Sequence, residues 1–225
     1  MYLICSKDNY FLEFTYKYLK QKYDNFIIIT KKEDLKNAIE THKNINKIFF
    51  LHWNYIVPSS IYNNYECINL HTGNLPEDRG GSPIQNQILL GKSASKVNAL
   101  RMSDDGIDSG PIYCSEQITL QGTIFDIFNS IAKNGLKLIC RIIDEDLKPT
   151  PQVFNNEIIF KRNKDNTIDF TKSIESIYDK IRMLDSDDYP TAYLNIGDYK
   201  LEFSRAKFNG KEIISDVKIL LNTSN

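Results

Sequence analysis

The sequence predicts an α/β fold: a domain on a mostly parallel sheet, followed by a small β-rich C-terminal subdomain. Three observations carry that expectation. Short apolar runs alternate with amphipathic helical stretches through the first two-thirds of the chain. Those runs, such as Lys47-Ile-Phe-Phe-Leu51, are continuous rather than alternating, as in strands covered on both faces. After Pro149 and Pro151 the pattern changes to short strands and a hairpin, which sets a boundary between 1–150 and 151–225.

Residues 2–5 form the first buried strand. Asp8 can cap a helix over 9–22, with Phe11, Leu12, Tyr16 and Leu19 at helical spacing. The β-branched run 26–30 is a second strand. Residues 31–43 are a second helix with Leu35, Ala38 and Ile39 inward, and 47–51 a third strand. The apolar run from Cys67 carries Asn69 and His71 and then breaks into a Gly/Pro loop. Residues 83–90 read as a helix stopped by Gly91. Strands at 96–102 and 112–119, the second antiparallel, flank an acidic, turn-rich loop over 104–111. Thr123 caps a long helix reaching 146. In the tail, 157–160 is a strand and 173–184 a helix. Residues 192–196 and 200–204 form a hairpin around Gly197-Asp198, and 213–221 is a last strand.

Composition excludes several classes. The net charge is -1, which gives no field that favours nucleic acid. Cys5, Cys67, Cys114 and Cys140 form no CxxC pair, and three histidines make a zinc site unexpected. The cysteines read as reduced, mostly buried thiols. No GxGxxG follows the first strand, so a dinucleotide site is not expected there. The N-terminus lacks a signal pattern, and no apolar run approaches the ~20 residues needed to span a bilayer. The expectation is a soluble cytoplasmic protein with neither nucleic acid nor membrane as partner.

Asn69 and His71 are two apart, so on a strand they share one face. Right-handed crossovers bring the carboxyl ends of the parallel strands to one edge. An amide and an imidazole delivered side by side to that edge, just before a Gly/Pro loop, suit the lip of an active site. The pair alone equally suits a polar strand end. Other residues also read two ways. The loop over 52–58, with Trp53, Asn54 and Tyr55, lines a pocket for a flat ligand or is anchored by a buried tryptophan. Arg79 holds a substrate phosphate or caps its loop. Tyr178 and Tyr189 stack on a base or pack in the core.

Taken jointly, Asn69-Leu-His71, Leu75-Pro76, Arg79-Gly80, Pro83-Ile84-Gln85 and Asp108-Ser109-Gly110-Pro111 resemble the folate-dependent formyltransferases, over about residues 49–138. Phe160-Lys161-Arg162 and the stretch from Ile181-Arg182 to Tyr189-Pro190 resemble the second segment of sugar formyltransferases and of methionyl-tRNA formyltransferase. The resemblance implies a Rossmann-like catalytic domain, N10-formyltetrahydrofolate as cosubstrate and no metal. It implies a nucleotide-linked amino deoxysugar of a surface-glycan pathway as acceptor, with methionyl-tRNA formylation or formyltetrahydrofolate hydrolysis as alternatives. It also implies a homodimer formed through the tail.

Residue by residue, the resemblance makes Asn69, His71 and Asp108 catalytic. It gives the backbone of Asn54, Tyr55, Ile56 and Val57 and of the Asp104–Asp108 loop to the pterin, and Arg79, Gly80, Arg182 and Tyr189 to the substrate. It also implies a cis Leu75–Pro76 bond. The residue types suit the chemistry: an amide N–H and a protonated imidazole stabilise an oxyanion, an imidazole moves a proton near neutral pH, and a carboxylate orients it. The chain departs from the family in its glycine-free first turn, in Gly73-Asn74 where Ser-Leu is common, and in a tail shorter than a tRNA-binding domain.

Overall fold

The computed structural model describes residues 1–8, 10–53, 55–154 and 158–222. In chain order the elements are β1 (Tyr2–Ser6), α1 (Tyr10–Lys22), β2 (Phe26–Ile29), α2 (Lys32–Thr41), β3 (Lys47–Leu51), α3 (Ser59–Tyr62), β4 (Cys67–Thr72), β5 (Asp78–Gly80), α4 (Pro83–Leu89), β6 (Ala94–Arg101), β7 (Ile112–Thr119), α5 (Ile124–Asp144), β8 (Ile158–Phe160), α6 (Ile174–Arg182), β9 (Ala192–Ile196), β10 (Tyr199–Phe208) and β11 (Ile213–Leu221).

The main sheet runs β2-β1-β3-β4-β6-β7. It is parallel from β2 to β4; β6 is antiparallel to β4, and β7 to β6. The fold is therefore α/β with a mostly parallel sheet and a separate small antiparallel sheet, β11-β10-β9.

Alternate residues of the central strands feed two cores. Ile4, Phe49, Leu51 and Ile68 join Leu19 of α1 and Ile127 and Leu138 of α5 on one face. Leu3, Cys5, Ile48, Phe50 and Cys67 join Leu35 and Ala38 of α2 on the other. Burial on both faces is the reason the strands are apolar at every position. Thr123 caps α5 in a reciprocal box with Asp126: its hydroxyl accepts from the Asp126 N–H at 3.1 Å, and its own N–H donates to the Asp126 carboxylate at 2.9 Å. At Gly135 a Cβ would lie 2.9 Å from Leu70 Cδ1, so α5 sits close on β4.

The tail is not a detached unit. Ile168, Ile181, Met183, Leu184 and Ala192 belong to the same core as α5, and β8 pairs in parallel with β5, joining Asp78 to Ile158 and Gly80 to Phe160. β5 was not expected: three residues in a Gly/Pro-rich loop carry no strand propensity, and their partner lies about 80 residues on in sequence. The predicted strand at 157–160 is seen from Ile158, and residue 157, like Asn9 at the start of the first predicted helix, lies outside the described residues. β10 is longer than expected and carries a bulge between Ser204 and Lys207, where Arg205 adopts φ +50° and its N–H donates to Asp185 at 2.6 Å. In register, Ile196, Tyr199 and Leu221, then Leu201 and Ile219, share one face of the tail sheet. Among them Ile196, Tyr199, Ile219 and Leu221 are exposed.

The buried Cys67 thiol is pushed up to about 12 by burial, and Cys114 to about 11, so neither is a thiolate at neutral pH. Among the described residues no helix is long and apolar enough to cross a membrane.

At the amino end of the sheet Glu66 accepts from Lys47 Nζ at 2.6 Å and from the Tyr113 hydroxyl at 2.7 Å. Burial pushes this carboxyl up, but the two hydrogen bonds and the Lys47 charge outweigh it and hold the group below its ordinary value. A carboxylate whose folded pKa is depressed adds stability above its unfolded pKa, and that stability is lost as pH falls through the folded value. Glu66→Gln is therefore expected to cost about 1–2 kcal/mol at pH 7. The difference from wild type should shrink as pH falls below about 4.5, as urea titrations at pH 7 and pH 3.5 would show.

Candidate active site

The connection from β3 to β4 carries, among the described residues, only the four-residue helix α3. The α2 side of β4 therefore continues from buried Cys67 to Asn69 and His71 under a loop, the segment over 102–111 that joins β6 to β7. Asp108 hangs from that loop in the left-handed conformation, φ +51°.

Its carboxylate gathers three donors. Oδ1 accepts from Asn69 Nδ2 at 3.3 Å, and Oδ2 accepts from the Gly80 N–H at 3.1 Å and faces His71 Nδ1 at 3.3 Å. The His71 ring is 6% exposed, and its Nε2 donates to the main-chain carbonyl of Asp78 at 2.8 Å. Both ring nitrogens thus face acceptors. The imidazolium, with two N–H donors, satisfies both, whereas the Nε2–H tautomer turns a lone pair toward a carboxylate.

The loop is held from three sides. Gln152 Nε2 donates to the carbonyls of Asp108, at 2.9 Å, and Gly110, at 2.7 Å. Thr150 and Ile112 exchange backbone hydrogen bonds at 2.8 Å. Arg79 donates to the Ser109 hydroxyl and lies over the Phe154 ring at 5.0 Å. At Gly110 a Cβ would fall 1.7 Å from the Arg101 carbonyl oxygen, and at Gly80, φ +103°, it would fall 2.3 Å from that of Phe160.

The structure thus brings Asn69, His71, Asp108, Arg79 and Gly80 together. The other candidates lie elsewhere or have other duties. Asn54 is outside the described residues. Tyr55 and Ile56 are exposed, Ile56 at 90%, whereas Val57 packs on the α2-side core. Trp53 anchors their loop edge-on between Phe50 and Tyr55. The Asp104 carboxylate accepts from the Tyr62 hydroxyl at 2.7 Å and from Asn63 Nδ2 at 3.3 Å, tying the loop to α3.

Two substrate candidates have structural partners of their own. Arg182 is buried and donates to the carbonyls of Leu120 and Gly122 and to Asp179. Those carbonyls follow the far end of β7, about 17 Å along the strand, at ~3.3 Å per residue, from Ser115, which is in register with His71 through Asn98. Arg182 is a structural clamp. Tyr189 packs its ring on Phe128 at 5.9 Å as part of the main core, with one edge on a cleft of about 630 Å³ that Asp185, Asp187 and Arg205 also line. Burial there pushes its hydroxyl above the ordinary tyrosine range.

Sequence reading missed Gly73, Asp78, Lys92 and Gln152. No local spacing rule links Asp78 to Lys92 across a helix, and Gln152 sits among linker prolines. Among the described residues no cluster of three or more His, Cys, Asp or Glu side chains could hold a metal. The Leu75–Pro76 bond is cis.

Residues 163–220 match the family described as "Methionyl-tRNA formyltransferase, C-terminal domain". A methionyl-tRNA formyltransferase of Sulfurihydrogenibium sp. is 29% identical over 196 residues, 80% of this chain and 62% of the relative. The chain spans about three-fifths of the length of such curated relatives. The solved methionyl-tRNA formyltransferase from Clostridium thermocellum is 34% identical, with 98% of this chain and 99% of that one covered and a TM-score of 0.91. The N-formyltransferase from Helicobacter canadensis, solved with folinic acid and dTDP-3-aminofucose, shares the fold at 20% identity and a TM-score of 0.65, over 98% of both chains.

Proposed function

Because this chain belongs to the formyltransferase family, we propose that it moves a formyl group from N10-formyltetrahydrofolate to the primary amine of a nucleotide-linked amino deoxysugar. The observation that carries the formyl chemistry is the convergence of Asn69 and His71 on the Asp108 carboxylate, each at 3.3 Å. The loops on either side suit a flat donor. They are joined through Tyr62 and Asp104, and they expose Ile56 and Ile107, an apolar pair that a pterin ring would cover.

The amine adds to the formyl carbon, the carbon–N10 bond breaks, the amine loses one proton and N10 gains one. Charge develops on the formyl oxygen. The Asn69 amide has two N–H donors, of which Asp108 takes one, so the second and the imidazolium of His71 can meet that oxygen. Asp108 balances the imidazolium, and His71 gives a proton to N10 as the carbon–N10 bond breaks and, then neutral, takes the proton that the amine loses.

The balance of charge supports this acceptor. Binding tRNA needs several phosphates neutralised, whereas the 28 basic residues here are matched by 29 acidic ones. A second reading, methionyl-tRNA, is favoured by the match over 163–220 and by 34% identity across the whole chain. The test is release of tetrahydrofolate from the formyl donor with each acceptor. Nucleotide-linked amino sugars are expected to be formylated, methionyl-tRNA not, and the control without acceptor should release no formate. Efficient formylation of methionyl-tRNA whose KM climbs steeply with salt, with all sugars inert, would overturn the acceptor.

The tail sheet supports a homodimer. Its uncharged face exposes Ile196, Tyr199, Ile219 and Leu221 together, an apolar patch of the kind that marks an interface, and a second copy of the same face would cover it by two-fold packing. Light scattering should give twice the chain mass at micromolar concentration, and Ile219→Lys should halve it.

A further inference from the structure

One ion pair, a fully buried carboxylate with a partly exposed lysine, has no direct part in that chemistry. Asp78 has no exposed surface. Its carboxylate accepts from Lys92 Nζ at 2.7 and 2.8 Å and from the Asn74 N–H at 3.1 Å. The main-chain carbonyl of the same residue is the acceptor for His71 Nε2 at 2.8 Å. Gly73 closes the assembly: a Cβ there would lie 2.6 Å from the Asp78 carbonyl oxygen and 3.1 Å from His71 Nε2. Side chain and carbonyl of Asp78 hang from one Cα, so anchoring the carboxylate restrains the carbonyl. Without Lys92 the carboxylate would be an uncompensated buried charge. It would take up a proton or swing toward water, and the turn over 74–78 would loosen with it.

We infer that the Asp78–Lys92 pair is a positioning device for His71. It fixes the carbonyl that holds Nε2, and so leaves Nδ1, on the Asp108 and Asn69 side, as the nitrogen that trades its partner during the reaction. The two contacts differ in the required sense. The bond at Nε2, 2.8 Å, lies toward the short end of the N–H···O range, while that at Nδ1, 3.3 Å, lies just beyond it. Neither Asp78 nor Lys92 touches reacting atoms; both act through the ring. The kinetic consequence rests on the formyl-transfer reading, and the ring geometry does not.

The test uses full-length protein labelled with 15N-histidine and 15N-asparagine. In Lys92→Met the Nε2–H signal of His71 is expected to shift or to vanish by exchange with water, with the Asn69 side-chain amide signal in place. kcat is expected to fall about 10- to 100-fold with KM for both substrates unchanged, since a displacement of about 1 Å costs that much. Lys92→Arg is expected to restore both readouts. If Lys92→Met does not fold, the neutral pair Asp78→Asn with Lys92→Met carries the same measurement, because it leaves no buried charge uncompensated. An unchanged Nε2–H signal overturns the inference whatever the rate does. A displaced signal in a protein that transfers formyl to no acceptor upholds the positioning and overturns the function.

Discussion

His71→Asn is expected to lower formyl transfer at least about 100-fold, the usual loss for a general acid–base group. The ring meets the Asp108 carboxylate and the Asp78 carbonyl, and on the proposed chemistry its removal takes away the proton carrier and the charge that would face the forming oxyanion. Asp108→Asn is expected to cost a similar factor. The amide keeps one acceptor oxygen, so it can accept from Asn69 or from Gly80 but not from both, and it no longer balances an imidazolium. Asn69→Ala removes a donor and belongs in the same range. Steady-state turnover with saturating folate and amine measures all three. Melting temperatures should move by only a few degrees, because functional polar groups are seldom optimised for stability. Wild-type turnover in His71→Asn would remove the ring from the reaction.

Gly110→Ala is expected to be the most damaging conservative change to the fold near the site. The added methyl would fall 1.7 Å from the carbonyl oxygen of Arg101, a main-chain atom that cannot rotate aside. Arg101 is pinned in turn, since its N–H donates to the Pro111 carbonyl at 2.9 Å. The loop must therefore move away from the end of β6, which costs about 3 kcal/mol, the upper range for overpacking. Asp108 lies two residues away and Gln152 binds the Gly110 carbonyl, so turnover should fall with stability. Urea unfolding measures the first and the formyl-transfer assay the second. Gly91→Ala is the contrast: φ is +72° there, which Gly110 does not share, and a Cβ meets nothing within 4 Å, so its cost should be the conformational strain alone, about 1 kcal/mol.

What the sequence disclosed depends on the range of each interaction. Asn69 and His71 could be placed on one face because the period of a strand is two, and the order of the first helices and strands followed from apolar runs. Asp108 was legible only as part of a joint pattern, since its three donors come from 28, 37 and 39 residues away. Arg182 looked like a cation open to a phosphate, but its partners, the carbonyls of Leu120 and Gly122, are 62 and 60 residues distant and leave no local trace. Asp78 and Lys92 read as ordinary loop charges for the same reason. The antiparallel placement of β6 against β4 was not read, because the residues of a strand, here Ala94–Arg101, do not by themselves fix the direction of its partner.

The pairing of β5 with β8 bears on how this enzyme could be recombined with others. A chimera that exchanges the tail to change acceptor would be cut, by sequence, between Pro149 and Pro151. That cut would give the donor half of the chimera a foreign Gln152, Phe154 and β8, and with them a foreign clamp on Asp108, Arg79 and Gly80. The transferable module begins after Phe160, where the chain has finished bracing the catalytic loop. Grafts joined beyond that residue keep the chemistry of one parent intact, whereas grafts joined at the prolines mix two parents inside a single active site.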